Sequence, residues 1–211
     1  MRITRIRLLR IAMACSFGLL AGTANAEPKS ELLGNINQVT ERPDVLRGNF
    51  EQTKTLAGFK KPLISKGTFV IDRSRGVQWI TASPFASTLV VTRERLTTWG
   101  GGGNKQQLDT KREPGLRAVN DLIMAMLSGD IKVLVSRFET KGSMKSAQSW
   151  NLSLTPKDTS LAGFIKNIDI EGGHHVDQVR MVEPSGDVSV IRFTNNTASS
   201  LNPAELERFG P

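Results

Sequence analysis

The sequence predicts a mainly β protein with some α structure, in which one large antiparallel sheet, curved or forming an open barrel, is covered by a few helices. Short runs of β-branched and aromatic residues, such as 66–71 and 87–92, are bounded by turn-forming residues. Apolar and polar residues alternate again in several segments between 150 and 193. Few segments show the spacing of apolar residues that is typical of helices, so a sheet is the expected scaffold.

The first 26 residues have the three zones of a secretory signal peptide. Four arginines lie within residues 2–10, an apolar run follows from Ile11 to Leu20, and Ala24-Asn25-Ala26 is a typical cleavage pattern. The apolar run is well short of the roughly 20 residues that span a bilayer. We expect cleavage after Ala26 and one domain formed by residues 27–211. A retained signal anchor and a lipid-modified Cys15 are the alternatives that remain open.

Composition excludes several classes of function. Cys15 is the only cysteine, so cleavage leaves no disulfide, thiol nucleophile or thiolate metal site. Removing the four arginines of the leader from 28 basic residues leaves 24 against 20 acidic ones, so the net charge falls from +8 to +4. The chain also has no tyrosine, and its aromatic residues are sparse. We therefore expect no nucleic-acid partner.

The elements follow in order from a short amphipathic helix at 31–39, where Leu32, Ile36 and Val39 share one side and Pro43 follows the end. The alternation pattern then predicts strands at 45–55, 63–72, 76–82, 85–92, 94–99, 150–155, 165–171, 176–183 and 188–193.

Four consecutive glycines, residues 100–103, interrupt the predicted sheet. Such a run could cradle a phosphate, but a phosphate loop ends in Gly-Lys-Ser/Thr and opens a helix, whereas Asn104-Lys105-Gln106-Gln107 follows here. The glycines therefore favour a loop or a wide hairpin.

A second helix is predicted between Pro114 and Gly129. Its apolar stripe is broader than a surface helix needs and includes Leu122 and Met126. Such a helix is either part of the core or a lid whose flexible methionine contacts variable apolar ligands, and one helix could serve as both. A helical turn is expected at 131–137 and another at 202–209.

The search for catalytic chemistry finds little. His174 and His175, the only histidines, are adjacent and would point to opposite faces of a strand, so a polar turn is favoured over a metal site. We see no Ser/His/Asp arrangement, zinc-protease helix or pair of glycosidase-like acids, although folding could bring distant carboxylates together. We expect a binding protein that is not an enzyme and uses no metal or cofactor.

Basic residues cluster in two places, at Lys60-Lys61 with Lys54 and Lys66, and at Arg73, Arg75, Arg93 and Arg95. Two interpretations remain open. These side chains could simply be solvated strand ends and turns, or they could form a rim that accepts a lipid headgroup or an acidic partner.

Between residues 47 and 99 the order of short motifs resembles the periplasmic outer-membrane lipoprotein carrier family, LolA-like. The motifs that carry the resemblance are Phe50-Glu51-Gln52-Thr53, Gly67-Thr68-Phe69, Asp72-Arg73, Trp79, Pro84-Phe85 and Leu89-Val90-Val91.

The resemblance implies an incomplete antiparallel β-barrel closed by helices around an apolar cavity. It also implies a function: the cavity takes the acyl chains of a lipoprotein from an inner-membrane exporter and passes them to an outer-membrane acceptor. Arg73, six residues before Trp79, takes the place of the family's lid-locking arginine. Ser74 stands where the family usually has a proline, and the stretch 54–66 is long and basic, so the cargo could differ.

We therefore expect a periplasmic, monomeric carrier of a lipoprotein or lipid. In this hypothesis Arg73 is a latch that contacts backbone carbonyls of the 114–128 helix. The residues expected to line the apolar cavity are Phe69, Ile71, Trp79, Phe85, Leu89, Val91, Trp99, Leu122, Met126, Trp150, Leu152 and Leu154.

Four alternatives stay open at this point. The cargo could be a lipid or glycolipid product of a dedicated exporter, or the protein could be a periplasmic enzyme that processes lipid. A sensor of the RseB type would need a second domain, for which this chain has no room. A structural barrel with a filled interior would bind no fatty acid.

Overall fold

The computed structural model describes residues 29–100, 105–109 and 135–210. Within these ranges, eleven strands form one antiparallel sheet in the order β6-β5-β4-β3-β2-β1-β11-β10-β9-β8-β7. The sheet is curved, but no pairing between its outermost strands closes it into a barrel among the described residues. The predicted mainly β architecture with a few helices is confirmed.

The elements of the described chain are α1 (Lys29–Val39), β1 (Val45–Thr55), β2 (Leu63–Asp72), β3 (Gly76–Ser83), β4 (Ser87–Thr92), β5 (Arg95–Gly100), β6 (Lys105–Asp109), β7 (Phe138–Met144), β8 (Trp150–Pro156), α2 (Thr159–Ala162), β9 (Asn167–Gly172), β10 (Val176–Val182), β11 (Val188–Ala198) and α3 (Pro203–Phe209).

The nine predicted strands are all present, with ends that differ by a few residues. The sequence did not predict β6, β7 or the single turn α2. Both missed strands are largely polar and lie at the two edges of the sheet, where pairing with one neighbour holds them rather than their own strand propensity. The predicted helix at 114–128 lies outside the described residues.

The sheet has two faces, and we call the one against which α1 packs the inner face. Strands β7, β8 and β9 turn their apolar side chains towards α1 and α2, and together these elements form the hydrophobic core. Its fully or almost fully buried members are Leu32, Leu33, Ile36, Phe138, Trp150, Leu152, Leu154, Leu161, Ile165, Ile168 and Ile170.

Helix α3 packs against the outer face over β3 and β4. It begins with a capping box, since the Asn202 side chain accepts from the Glu205 amide and the Glu205 carboxylate accepts from the Asn202 amide. Pro203 at its first turn agrees with the prediction. The buried Gln78 donates to the Glu205 carbonyl, 2.6 Å away, and Arg47 pairs with the Glu205 carboxylate at 2.9 Å. These polar contacts anchor α3 to the sheet.

Among the described residues, no helix has the length and apolar character that crossing a bilayer requires.

Candidate functional site

The candidate site is the inner face of strands β1 to β5. The strand register places two rows of side chains across this face, because directly paired residues project to the same side. One row runs through Phe69, Trp79 and Leu89, and the other through Leu46, Ile71, Val77, Val91 and Leu96. We call the members of these two rows, together with Phe50 and Phe193, the inner patch.

Four aromatic rings form the centre of the inner patch. The Phe50 ring stacks on Trp79 with centroids 3.8 Å apart, and Phe69 lies 6.4 Å from Trp79. Phe193, on the neighbouring β11, meets Phe69 and Trp79 edge-on at 5.3 and 6.1 Å. Offset stacking and edge contacts are the arrangements that aromatic pairs prefer, so the rings define one contiguous apolar surface.

Two glycines make room for these rings. A Cβ on Gly67 would lie 2.8 Å from Cε1 of Phe50 and would also meet the carbonyl of Ile80. At Gly48 a Cβ would come within 2.9 Å of Cε1 of Phe69. Each glycine is paired with the strand position that carries the ring, so the missing side chain lets the ring lie flat over the sheet.

The side chains of the inner patch differ in burial. Phe50, Phe69 and Val91 are buried, whereas Trp79 and Leu89 are only half-buried. A half-buried tryptophan next to apolar neighbours offers contact area for an apolar ligand that a fully packed core residue cannot offer.

The structure brings together five of the predicted cavity residues, Phe69, Ile71, Trp79, Leu89 and Val91, in the inner patch.

Trp150, Leu152 and Leu154 lie on the same inner face, but in the half that α1 covers, where they belong to the packed core. The Trp150 indole N–H donates to the carbonyl of Gly173 at 3.0 Å, which fixes its ring.

Two predicted cavity residues lie elsewhere. Phe85 is in the turn after the Ser83-Pro84 bond, with 82% of its surface exposed. Trp99 projects from the outer face, where Lys105 Nζ lies 5.7 Å from its ring centroid. There it lines a cleft of about 450 Å³ beside α3, which also contains charged groups and so suits acyl chains poorly. Leu122 and Met126 lie outside the described residues.

Sequence reasoning missed Phe50, Phe193, Val77, Leu46 and Leu96 as members of the patch. Phe50 is part of a family motif, but its sequence context does not show which face of the sheet it occupies. Val77 lies two residues from Trp79 on β3, and Leu96 lies two residues from Thr98 on β5, so each projects to the same face as its neighbour. The signal that would have found them is the register, which a single sequence does not supply.

Arg73 lies at the opposite end of β2 from the β1–β2 turn, where the chain enters β1. Its amide donates to the carbonyl of Asp44 at 3.0 Å, and its guanidinium Nη1 donates to the carbonyl of Arg42 at 3.1 Å. Burial and the neighbouring charge of Arg73 lower the pKa of the Arg42 guanidinium. Arg73 thus ties the segment after α1 to β2, while its hypothesised contact with 114–128 falls outside the described residues.

Asp72 organises the turn that presents Arg73. Its buried carboxylate accepts hydrogen bonds from the Ser74 amide and hydroxyl and from the Arg75 amide, at 2.6 to 2.8 Å. Desolvation of Asp72, the largest single effect, raises its pKa. The hydrogen bonds from Ser74 and Arg75 and the charge of Arg75 together outweigh it, so the pKa lies below its ordinary value of 3.8.

The two histidines lie in the turn between β9 and β10, facing one carboxylate. His174 Nδ1 is 3.6 Å and His175 Nε2 is 3.8 Å from the oxygens of Glu41. The described part of the chain holds no group of three or more histidine, cysteine or acidic side chains that could bind a metal ion.

Comparison with known proteins places this sheet in a family. The family model described as outer membrane lipoprotein carrier protein LolA matches residues 42–206, most of the chain. The chain belongs to the LolA family. The resemblance predicted from the motifs of residues 47–99 is therefore confirmed, and carriers rather than enzymes make up this family. No curated protein sequence matches the chain.

The solved structures to which this LolA family member is similar share little sequence with it. A LolA superfamily protein from Nitrosomonas europaea is 11% identical, with a TM-score of 0.46, 83% of this chain covered and 95% of that chain. A DUF1329 family protein from Desulfovibrio piger is 13% identical, with a TM-score of 0.46, and the match covers 82% of this chain and 93% of that chain. The MucA/MucB complex of Pseudomonas aeruginosa is 14% identical, with a TM-score of 0.46, and the match covers 83% of this chain and 60% of that chain.

Proposed function

We propose that this LolA family member is a periplasmic carrier that binds the acyl chains of a lipoprotein or another lipid on its inner patch. In this proposal it receives its cargo from an inner-membrane exporter and carries it towards an outer-membrane acceptor. The observation that carries the proposal is the contiguous apolar surface around Phe50, Phe69 and Trp79, which includes half-buried side chains.

Physical chemistry supports such a surface for a carrier. An acyl chain in water exposes methylenes at a cost of about 0.8 kcal/mol each, so a lipid with two or three chains does not cross an aqueous compartment unaided. A sheet face that covers the chains without enclosing a rigid pocket can accept chains of different length. The aromatic rings add flat contact area at little conformational cost.

Release is the second requirement of a carrier, and we propose that Arg73 serves it. Its bond to the Arg42 carbonyl joins the segment after α1 to the strand that carries Phe69 and Ile71. A charged hydrogen bond of this kind is worth about 1.5–3 kcal/mol, which is enough to favour the closed, empty state and small enough to be reversible. Opening the contact when cargo enters would store the free energy that later helps to expel it.

The test uses two apolar residues on neighbouring strands that face opposite sides. Leu89 belongs to the inner patch, whereas Ile80 lies on the outer face, and both are half-buried. Leu89→Asn is expected to weaken the binding of a fluorescent fatty acid about tenfold, because it places an amide against the acyl chain. Ile80→Asn should leave the affinity unchanged. Fluorescence titration of both variants and the unmodified protein measures the difference.

Equal affinity of the two variants would show that the inner patch is not the binding surface. Native mass spectrometry of protein recovered from its own envelope supplies the second arm, because a carrier should retain intact lipid in a fixed ratio. Recovery of hydrolysed or otherwise processed lipid, with turnover in solution, would instead favour an enzyme.

A further inference from the structure

One end of the sheet carries a cluster of exposed apolar side chains. Because the strands are antiparallel, the β1–β2 turn and the β3–β4 turn lie at the same end, and the pairing of Lys66 with Ser83 sets the second turn beside the start of β2. The exposed fractions there are 68% for Phe59, 55% for Leu63, 49% for Ile64 and 82% for Phe85. We call these four residues the apolar rim.

The concentration of these residues is unusual for a protein surface. Only two other large hydrophobic side chains of the described chain are exposed, Phe164 and Leu206. A monomer in water rarely leaves several large apolar side chains together at one edge unless something else covers them in function. The rim residues do not stabilise the fold by burial, so their presence indicates a contact outside the chain.

The charge around the apolar rim selects the kind of contact. Between residues 53 and 71 the only charged residues are Lys54, Lys60, Lys61 and Lys66, and residues 77–92 carry no charge. Lys54 pairs with Glu183 at 2.8 Å and Lys66 with Glu51 at 2.8 Å. Lys60 and Lys61 are exposed and sit directly after Phe59. Of the acidic groups at this end, Glu183 pairs with Lys54, and Asp187 lies 3.9 Å from Lys54 and accepts from the Ala57 amide. Lys60 and Lys61 therefore make the exposed segment beside Phe59 positive.

We propose that the apolar rim docks on the surface of a bilayer that contains anionic lipid. Aromatic and aliphatic side chains insert at the boundary of headgroups and acyl chains, while adjacent lysines meet the anionic headgroups. Apolar tips with flanking lysines supply both parts of this attraction. The occupant of the rim is thus a lipid surface.

The rim is also continuous with the inner patch, and here the inference rests on the proposed function. Leu63 projects from the inner face of β2, and the same face continues through Ser65 and Gly67 to Phe69. Phe50 covers Gly67. A chain that leaves a bilayer at the rim can therefore reach the aromatic rings along one strand face.

Sedimentation with phospholipid vesicles tests the inference. The purified protein should bind vesicles of phosphatidylcholine mixed with phosphatidylglycerol, and the bound fraction should fall at high salt and with phosphatidylcholine alone. The double variant Phe59→Ser/Phe85→Ser should lower vesicle affinity about tenfold or more, since two rings no longer insert. Lys60→Gln/Lys61→Gln should lower it about tenfold and remove the salt dependence.

Leu206→Ser is the matched control, because Leu206 is also exposed but belongs to α3 and not to the apolar rim, so its loss should change nothing. The inference is overturned if the phenylalanine variant binds vesicles as well as the unmodified protein, or if the unmodified protein binds neither vesicle. A third outcome also overturns it: the phenylalanine variant binds vesicles normally but takes up less cargo from membranes that contain an exporter. The rim would then contact a protein and not lipid.

A fatty-acid titration without vesicles separates the two proposals. The rim variants should keep the affinity of the unmodified protein for a fluorescent fatty acid, because the inner patch is intact. If the unmodified protein binds vesicles but no fatty acid, docking of the rim on a bilayer is supported and the proposed function as a lipid carrier is rejected. Fatty-acid binding without vesicle binding would reject docking alone.

Discussion

The inner face of the sheet is used in two different ways by its two halves. Over β7, β8 and β9 it is sealed by α1 and α2, and Leu154 and Phe138 have no exposed surface. Over β1 to β5 the same face carries the inner patch, in which Trp79 and Leu89 keep part of their surface accessible. The residue types in the two halves are similar, so composition alone does not distinguish them.

The comparison indicates that the accessibility of a few side chains, Trp79 and Leu89, rather than hydrophobicity, distinguishes the surface for which we propose lipid binding from the packed core. A helix that covers the C-terminal half fixes its side chains at the density of a protein interior. The N-terminal half instead gains its order from stacked rings and from glycines that let those rings lie flat. The sheet therefore supports an apolar surface whose central rings are held in place by their own stacking.

The largest effect is expected from truncating one leucine in each half. Leu154→Ala should lower the free energy of unfolding by about 3 kcal/mol, because it leaves a cavity in a sealed core. Leu89→Ala should cost about 1 kcal/mol, since Leu89 is half-buried. Urea denaturation of both variants measures the difference. Equal losses would mean that the two halves are packed alike, and the distinction between them would be wrong.

A smaller effect concerns the contact of Arg73 that ties the segment after α1 to β2. Arg73→Leu should load fatty acid normally but pass it to acceptor vesicles about tenfold more slowly, because closing the empty protein no longer gains the bond to the Arg42 carbonyl. A stopped-flow transfer assay with a fluorescent fatty acid measures the rate.

Arg75→Leu is the control for this prediction. It removes the same charge from the same turn but leaves the Arg73 contact in place. If both variants transfer at the unmodified rate, Arg73 is not a latch; if both are slowed alike, the turn charge rather than the specific bond is responsible.

The smallest effect is expected at Asp72, whose turn positions Arg73. Because folding lowers the pKa of this carboxyl group below 3.8, its stabilising effect is present above that value and is lost as the pH falls through the folded pKa. Asp72→Asn should cost roughly 1 kcal/mol at pH 7. It should also flatten the fall in stability below about pH 4. Urea midpoints at pH 7 and pH 3 measure both, and an unchanged acid dependence would contradict the assignment.

Much of the fold could be predicted from the sequence because local signals set it. The limits of β2 follow from its run of β-branched residues between Pro62 and the turn at 73–76, and the predicted bounds were those observed. The strand β7 is largely polar and has no run of β-branched residues that would predict it. Its position depends on β8, with which it forms seven residue pairs.

The candidate site could be predicted only in part, because its geometry depends on register. Phe69, Trp79 and Leu89 lie side by side as a result of pairing across three strands. Trp99 is as apolar as they are, yet it lies on the outer face, since each one-residue step along a strand reverses the side. Phe85 follows a strand end and enters the turn, which alternation alone does not reveal.

The strand order has a consequence for how the molecule forms. β1 and β11 are neighbours, and their pairing sets Leu46 opposite Ala198, so the centre of the sheet is a seam between distant parts of the chain. On either side of the seam, each strand pairs with its neighbour in sequence, and such local pairs can form early in folding. The β1–β11 pair cannot form before β11 is available. A chain that emerges from its amino end can pair β1 with β2 early, but the other edge of β1 stays without its partner until β11, near the carboxyl end, has been made. Closure of the seam between β1 and β11 is therefore expected to be the last step in forming the sheet.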